Sequence, residues 1–444
     1  MGLVHRDRRK FQYSVLEEKK TMDQSQPREI KNWVINFIPV WIAQLVSFLG
    51  SMLAQYAIIW WLTLDSGSAA VMATSTLFGL LPGVLLGPLA GTLVDRFNRK
   101  WIMILSDFVI ALMVVALIVL FRLERVEYWH IYILMAVRSL GGAFHGSAMN
   151  ASISLMVPEK HLTRVSGINQ SLMGVMGILA PPAAAILLAN PALSFAGVIS
   201  IDVITAAIAI FSIALVIVPQ PQAKVVQLSW RAFWSETREA FPYVWQWKGL
   251  RYLFIVLMGF SFFFMPLNAL ESLFVLESLK QDMTVFSILE TTFGVGFMLG
   301  GALLGIWGGF KRKIFTILAA MLGIGMSLLL HACTPAESWW IAGIGIGLCG
   351  LLFPVMNGPV YAILQANIEE GIQGRIFALQ GSLNSGVSAL ALLMVGLVSE
   401  FVSVRQILVF TSLGIILLAL WGFLTPSLLK IESNRQVEGE DLPV

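Results

Sequence analysis

A dozen apolar runs divide the chain, at 34–62, 69–90, 101–121, 130–150, 166–189, 194–218, 252–276, 286–309, 314–333, 338–360, 376–399 and 404–426, each separated from the next by a polar break. About 20 apolar residues are what a helix needs to cross the hydrocarbon core of a bilayer. No water reaches the backbone there, so each run must satisfy its own hydrogen bonds by coiling into a helix. The 444 residues are 57% hydrophobic and only 12% charged, with a mean hydropathy of +0.80, against about 25% charged residues in a soluble domain. The sequence therefore predicts an all-α integral membrane protein with twelve transmembrane helices and excludes a string of soluble domains.

Twelve crossings return both termini to the same side. About 24 of the 29 Lys and Arg residues fall in segment 1–33, in the connections after even-numbered runs, and in segment 428–444. The other connections hold Asp65, Glu124, Glu127, Asp282 and Glu337, with only Arg122, Arg125, Lys280 and Arg405 among their bases. Because basic loops stay on the cytoplasmic side, both tails are expected there, in a multi-pass protein of a bacterial plasma membrane. Segment 1–33 lacks the apolar core and small-residue cleavage site of a secretion signal, so it is expected to remain on the chain.

The longest internal polar stretch, 219–250, splits the runs into six and six, 34–218 and 251–427. Within it, Trp230, Phe233, Trp234, Thr237 and Phe241 share one helical face, which predicts an amphipathic helix on the inner membrane surface. The halves echo each other. "GPLAG" (Gly87 to Gly91) recurs as "GALLG" (Gly301 to Gly305), and the segment from Met149 recurs from Met356, with Arg164 matching Arg375. Two six-helix bundles related by a parallel pseudo-symmetric repeat are the layout of transporters whose halves rock around a central site.

Other chemistries leave no trace. Cys333 and Cys349 lack metal-ligand spacing and are expected to be buried free thiols. No Gly-rich nucleotide loop, zinc-protease motif or nucleophile elbow occurs. No cofactor, metal, nucleic-acid partner or enzymatic activity is expected.

The most ordered polar break is "GTLVDRFNRK", residues 91–100. It resembles the loop between spans two and three of the major facilitator superfamily, with Gly91, Asp95, Arg96, Arg99 and Lys100 at the motif positions. Asn98 stands where a second Gly is usual, and Asn also tolerates a left-handed backbone. "VRSLGGAF" resembles the superfamily's span-four arginine through Arg138. In "GVMGILAPPAAA", Gly174, Gly177 and Pro181 keep part of its antiporter pattern and mark a span-five hinge. "RSLGGAFHGSAMNA", "FMPLNAL" and "SIDVITA" are similar to bacterial macrolide-efflux proteins and multidrug exporters. The resemblance implies export of small amphipathic compounds by alternating access in exchange for protons, by a monomer in the lipid bilayer. Lysolipid or siderophore transport by the same fold, and a sensor without turnover, are the alternatives.

Roles follow from placement. Asp95 is expected to latch the cytoplasmic gate by capping a helix end or pairing with Arg96 or Arg99. Arg138 lies in mid-span, where a lone cation costs about 2.5–3.5 kcal/mol, and His145 follows two turns on along the same face. Proton coupling calls for a carboxylate inside the membrane; Asp202 is the first choice and Glu271 and Glu290 are the others. Gln44, Gln55 and Asn268, with Phe262, Phe263 and Met265, are the expected cavity lining. Gly296, Gly300, Gly301 and Gly305 are expected to permit close helix packing.

Overall fold

The computed structural model describes residues 33–94, 97–216, 218, 241–368 and 370–432. Twelve long helices occur among them: α1 (Trp33–Ser66), α2 (Ala69–Val94), α3 (Arg99–Arg122), α4 (Tyr128–Met156), α5 (Glu159–Ala189), α6 (Phe195–Leu215), α7 (Lys248–Leu273), α8 (Met283–Trp307), α9 (Lys313–Ala332), α10 (Trp339–Asn367), α11 (Glu370–Val398) and α12 (Val404–Phe423). A one-turn helix, α13 (Pro426–Leu429), follows, and the described residues contain no strand. Each expected run is one helix. Several helices outlast their apolar run: α5 begins at Glu159 rather than 166, and α10 continues to Asn367 rather than 360. A helix bonds its own backbone, so it can project beyond the hydrocarbon core with polar side chains.

Eleven of the twelve are long and apolar enough to cross a membrane. The exception is α4, whose sequence includes Arg138, His145 and Asn150. Polar side chains at the breaks start the helices by accepting from otherwise unpaired backbone N–H groups. Asn98 accepts from Lys100 N at the start of α3, Ser194 from Gly197 N at α6, and Asp282 from Thr284 N and Val285 N at α8. Gly308 ends α8 at φ 74°, in the left-handed region that glycine enters without a Cβ clash.

The packing repeats across the two halves. In the first, α1 packs on α6 and α5, α2 on α4, and α3 on α4 and α6. In the second, α7 packs on α12 and α11, α8 on α10, and α9 on α10 and α12. Each pair maps onto its counterpart six helices later, the parallel repeat expected from the sequence echoes. The halves meet chiefly through α5 on α8 and α2 on α11, a reciprocal exchange that the same two-fold relation requires.

Two cores result. The larger joins Leu53, Ile58, Leu62, Ala180 and Ala184 of the first half with Leu270, Phe274, Phe286 and Leu289 of the second. These residues lie toward the end of the bundle away from the tails. A separate core of Phe37, Val40, Val94, Met103, Met156 and Val165 lies at the end nearer the tails, within the first half alone. The halves are thus sealed together at the far end.

The expected amphipathic helix lies outside the described residues except for Phe241, which stacks on Trp245 with centroids 5.4 Å apart. Cys349 is buried as expected, but Cys333 is exposed, because it follows the last residue of α9 and sits at the helix end.

Small residues set the tightest contacts, but only on one face of α8. A Cβ at Gly296 or Gly300 would strike the backbone of α10, at the carbonyls of Gly347 and Leu351 respectively, whereas Gly301 and Gly305 face open space. Gly301 follows Gly300 by one residue, about 100° around a helix of 3.6 residues per turn, and so it and Gly305 leave that contact face. Gly300→Leu is expected to cost at least the ~1–3 kcal/mol of an overpacked core and to lower the thermal unfolding midpoint in detergent by several degrees. Gly301→Leu should leave it within a degree of the parent.

Candidate functional site

A cavity of about 640 Å³ opens within the first half, lined by α1, α3, α4 and α5. From α4 it takes Arg138, Gly142, His145, Gly146, Met149 and Ile153. These positions recur at three- and four-residue intervals, so they form one stripe of the helix, about 22 Å long at 1.5 Å per residue. Two glycines in the stripe keep its middle shallow, and the polar groups of α1 and α3 face it.

The deeper polar cluster ties three helices together. Arg138 Nη1 donates to Asp202 Oδ2 of α6 at 2.8 Å, and its Nη2 donates to the carbonyl of Ser51 in α1 at 2.8 Å. Ser51 Oγ donates to the other carboxylate oxygen of Asp202 at 2.7 Å. Asp202 is only 2% exposed, so the guanidinium and hydroxyl replace the water that this charge has lost. The second cluster lies on α1, α3 and α4. His145 Nδ1 is 3.2 Å from Asp107 Oδ1, and Gln44 Nε2 approaches Asp107 Oδ2 at 3.5 Å. His145 Nε2 is buried with no hydrogen-bond partner among the described residues. The two aspartates are near enough to repel each other. Toward the tails, Trp41 Nε1 donates to Asn169 Oδ1 at 3.0 Å, joining α1 to α5.

The charges of this cluster can be counted. It holds two carboxylates, one permanently charged guanidinium and one histidine. With one proton on the Asp107–His145 pair the cluster is neutral. Without it the cluster carries one net negative charge facing the cavity.

A second buried pair occupies the other half. His331 Nε2 is 3.1 Å from Glu271 Oε2, and His331 Nδ1 is 3.1 Å from the carbonyl of Ala342. Glu290 meets the first half directly: Tyr56 Oη lies 3.1 Å from Glu290 Oε2. Beside it Trp60 stacks on Phe286 with centroids 5.7 Å apart, and Thr63 Oγ1 donates to Ser272 Oγ at 2.8 Å.

Of the residues singled out from the sequence, Arg138, His145 and Gln44 line the cavity, and Asp202 is held by Arg138 just behind it. Gln55 lies against Met135, its Nε2 3.6 Å from the sulfur. Phe262, Phe263, Met265 and Asn268 belong to α7 and do not line this cavity; Phe263 covers Gly414 of α12 instead. Gly174 and Gly177 have open space where a Cβ would project, and α5 continues as a helix through Pro181. Asp95 and Arg96 lie outside the described residues. At the other island positions, Gly91 falls in the last turn of α2. Arg99 is buried and donates to the carbonyl of Ala151 at 2.6 Å, while Lys100 donates to the carbonyls of Ala214 and Val216 at 2.7 and 3.0 Å. Lys100 thus binds C-terminal carbonyls of α6, which carry partial negative charge, and Arg99 binds a carbonyl inside α4, both within their own half. Sequence reasoning missed Asp107 and His331, although each is a titratable residue inside an apolar run, the same signal that found Asp202.

Comparisons with known proteins agree with this geometry. A sequence model of the major facilitator superfamily matches residues 40–392. Macrolide efflux protein A of Streptococcus pyogenes is 35% identical over 375 residues, covering 84% of this chain and 92% of that protein. Macrolide efflux protein A of Enterococcus faecalis is 36% identical over 319 residues, covering 72% and 98%. Among solved structures, a bacterial homologue of the iron transporter ferroportin in an inward-facing state aligns with a TM-score of 0.65 at 16% identity, covering 89% of this chain and 99% of that one, a likeness of fold. With twelve helices in two repeated bundles, a family match across both bundles and relatives of nearly full coverage, the chain belongs to the major facilitator superfamily of membrane transporters.

Proposed function

We propose that the chain exports small amphipathic, macrolide-like or drug-like compounds across a bacterial plasma membrane in exchange for protons. The observation that carries this reading is the 640 Å³ cavity with Asp107 and His145 in its wall. Apolar walls with a few polar groups suit an amphipathic cargo, and the relatives named for macrolide efflux support that class. The basic residues of the tail-side loops support a cytoplasmic placement of both termini. The bundles 34–218 and 251–427 then act as the two moving halves, with 219–250 as their cytoplasmic connection. Asp95 and Arg96 complete the inner gate, and Arg99 and Lys100 brace it by anchoring α3 to α4 and α6.

Exchange follows from the charge count. A protonated Asp107–His145 pair leaves the cluster neutral, and losing the proton leaves a net negative wall that attracts a positively charged amphiphile. Cargo and proton thus compete for one charge. When a monocation leaves as one proton enters, no net charge crosses the membrane, so the pH difference drives the exchange, about tenfold in cargo gradient, or about 1.4 kcal/mol, per pH unit. Arg138 and Asp202, paired and buried, hold α1, α4 and α6 in register beside that exchange.

Asp107→Asn removes the negative charge that proton and cargo share and is expected to lower uncoupler-sensitive efflux of a macrolide or cationic dye at least tenfold in cells with unchanged protein levels. Full efflux in this variant would remove Asp107 from the exchange. The Arg138–Asp202 pair has a separate test. Arg138→Gln strands a buried carboxylate, a loss that costs about 3–5 kcal/mol, so it should lower the unfolding midpoint in detergent. Adding Asp202→Asn should recover part of that loss; equal midpoints for the single and double variants would show that the two charges do not support each other.

A further inference from the structure

The proposed exchange leaves one buried titratable pair unused. Glu271 of α7 and His331 of α9 are 5% and 0% exposed, in the half that does not form the cavity. The tautomer of His331 is fixed by its neighbours. A carbonyl can only accept, so Nδ1 carries hydrogen toward Ala342. The 3.1 Å contact between Nε2 and Glu271 Oε2 then holds one further proton, on either the nitrogen or the oxygen. In both arrangements the pair is neutral. Without that proton two lone pairs face each other and Glu271 carries a bare charge. Its other oxygen, Oε1, is buried with no hydrogen-bond partner among the described residues, so nothing else there absorbs the charge.

That charge lies directly behind the far-side seam. Ser272, the next residue, bonds to Thr63 of α1. Glu271 is also near enough to Glu290 for the two carboxylates to repel each other, and Glu290 is the acceptor for Tyr56 across the seam. The remaining titratable groups do not compensate. Cys349 of α10 is buried and near Glu271. Arg405 of α12 lies over the ring of Phe274 at 5.9 Å and is engaged by the carbonyl of Ser278, to which it donates. Glu277 belongs to the turn after α7, α2 carries no titratable residue, and Glu370 and Arg375 of α11 sit at its opposite end. His331 lies in the last turn of α9, at the far-side end of that helix.

We propose that Glu271 and His331 form a second proton-binding site, in the C-terminal half, whose occupancy controls the far-side seam between the halves. With the proton bound, the pair is neutral, Glu290 accepts from Tyr56 and the seam stays closed. When it is lost, two negative charges stand in a low-dielectric seam and opening relieves the repulsion by hydrating Glu290. The proton is the only species exchanged at this site. The inference goes beyond exchange at Asp107, because it depends on the contact between the halves and not on the cargo.

The test places spin labels on the exposed far-side loops of the two halves, in full-length protein carrying Arg125→Cys and Glu337→Cys, with Cys333→Ser and Cys349→Ala. The distance between them is read in lipid nanodiscs from pH 5 to pH 9 without any cargo. The parent is expected to shift from a short to a long distance as pH rises, with a single midpoint. Glu271→Gln imitates the neutral pair and should hold the short distance at all pH values. Glu290→Gln removes the second negative charge without touching the buried pair, and it should abolish the shift as well, which covers the case in which Glu271→Gln does not fold. A parent distance that ignores pH, or a wild-type midpoint in either variant, overturns the proposal. Because no cargo is present, the outcome is independent of whether the export reading holds.

Discussion

A guanidinium placed inside a membrane must find its counter-charge within the protein, and much of the first half is arranged around that requirement. Arg138 reaches Asp202 and the Ser51 carbonyl, so α4 cannot face lipid with that surface and must face α1 and α6. The stripe of α4 that continues from Arg138 is then turned inward for its whole length, and it becomes the cavity wall. The ion pair also explains why α4 alone among the twelve helices lacks the apolar character of a membrane span. Its burial is compensated by partners three helices wide, and removing one partner leaves the others exposed to the cost of an unpaired charge.

The two halves share a packing plan but not a chemistry. Helices six apart make the same contacts, and Gly50 against Thr205 between α1 and α6 is matched by Gly259 against Leu418 between α7 and α12. Onto that common scaffold the first half places four charged or titratable groups beside a cavity. The second half buries Glu271 and His331 away from it and close to the seam. A symmetric frame gives both halves a similar build, and the unequal charges are what the proposed division of labour, cargo exchange in the first half and control of closure in the second, rests on.

Architecture was readable because it rests on local sequence: each apolar run gives one helix, and Asn98, Ser194 and Asp282 mark where helices begin. The intramembrane charges were readable too, since Arg138, Asp202, Glu271 and Glu290 are costly enough to need a reason. Their partners were not. Arg138 and Asp202 are 64 residues apart and Glu271 and His331 are 60 apart, so only the packed bundle decides who meets whom. Arg138 and His145 share a face as their spacing implies, yet each bonds to a different aspartate. The glycines of α8 show the same limit. Gly296 and Gly300 touch α10 while Gly301 and Gly305 do not, because composition does not say which face of a helix has a neighbour. Phe262, Phe263, Met265 and Asn268 were placed in the cavity by polarity and ring content, and α7 instead contributes to the opposite half.

The central claim is that cargo and proton compete for one charge in the cavity. Its most direct measurement uses purified protein in sealed liposomes with a pH-sensitive dye inside and no ion gradient imposed. A potassium-and-valinomycin clamp holds the membrane potential at zero, and a macrolide gradient across the membrane is the sole driving force. Exchange predicts that cargo movement in one direction drives a pH change in the opposite sense, absent from liposomes carrying Asp107→Asn. Cargo flux that proceeds at the full rate with no change in internal pH would contradict it.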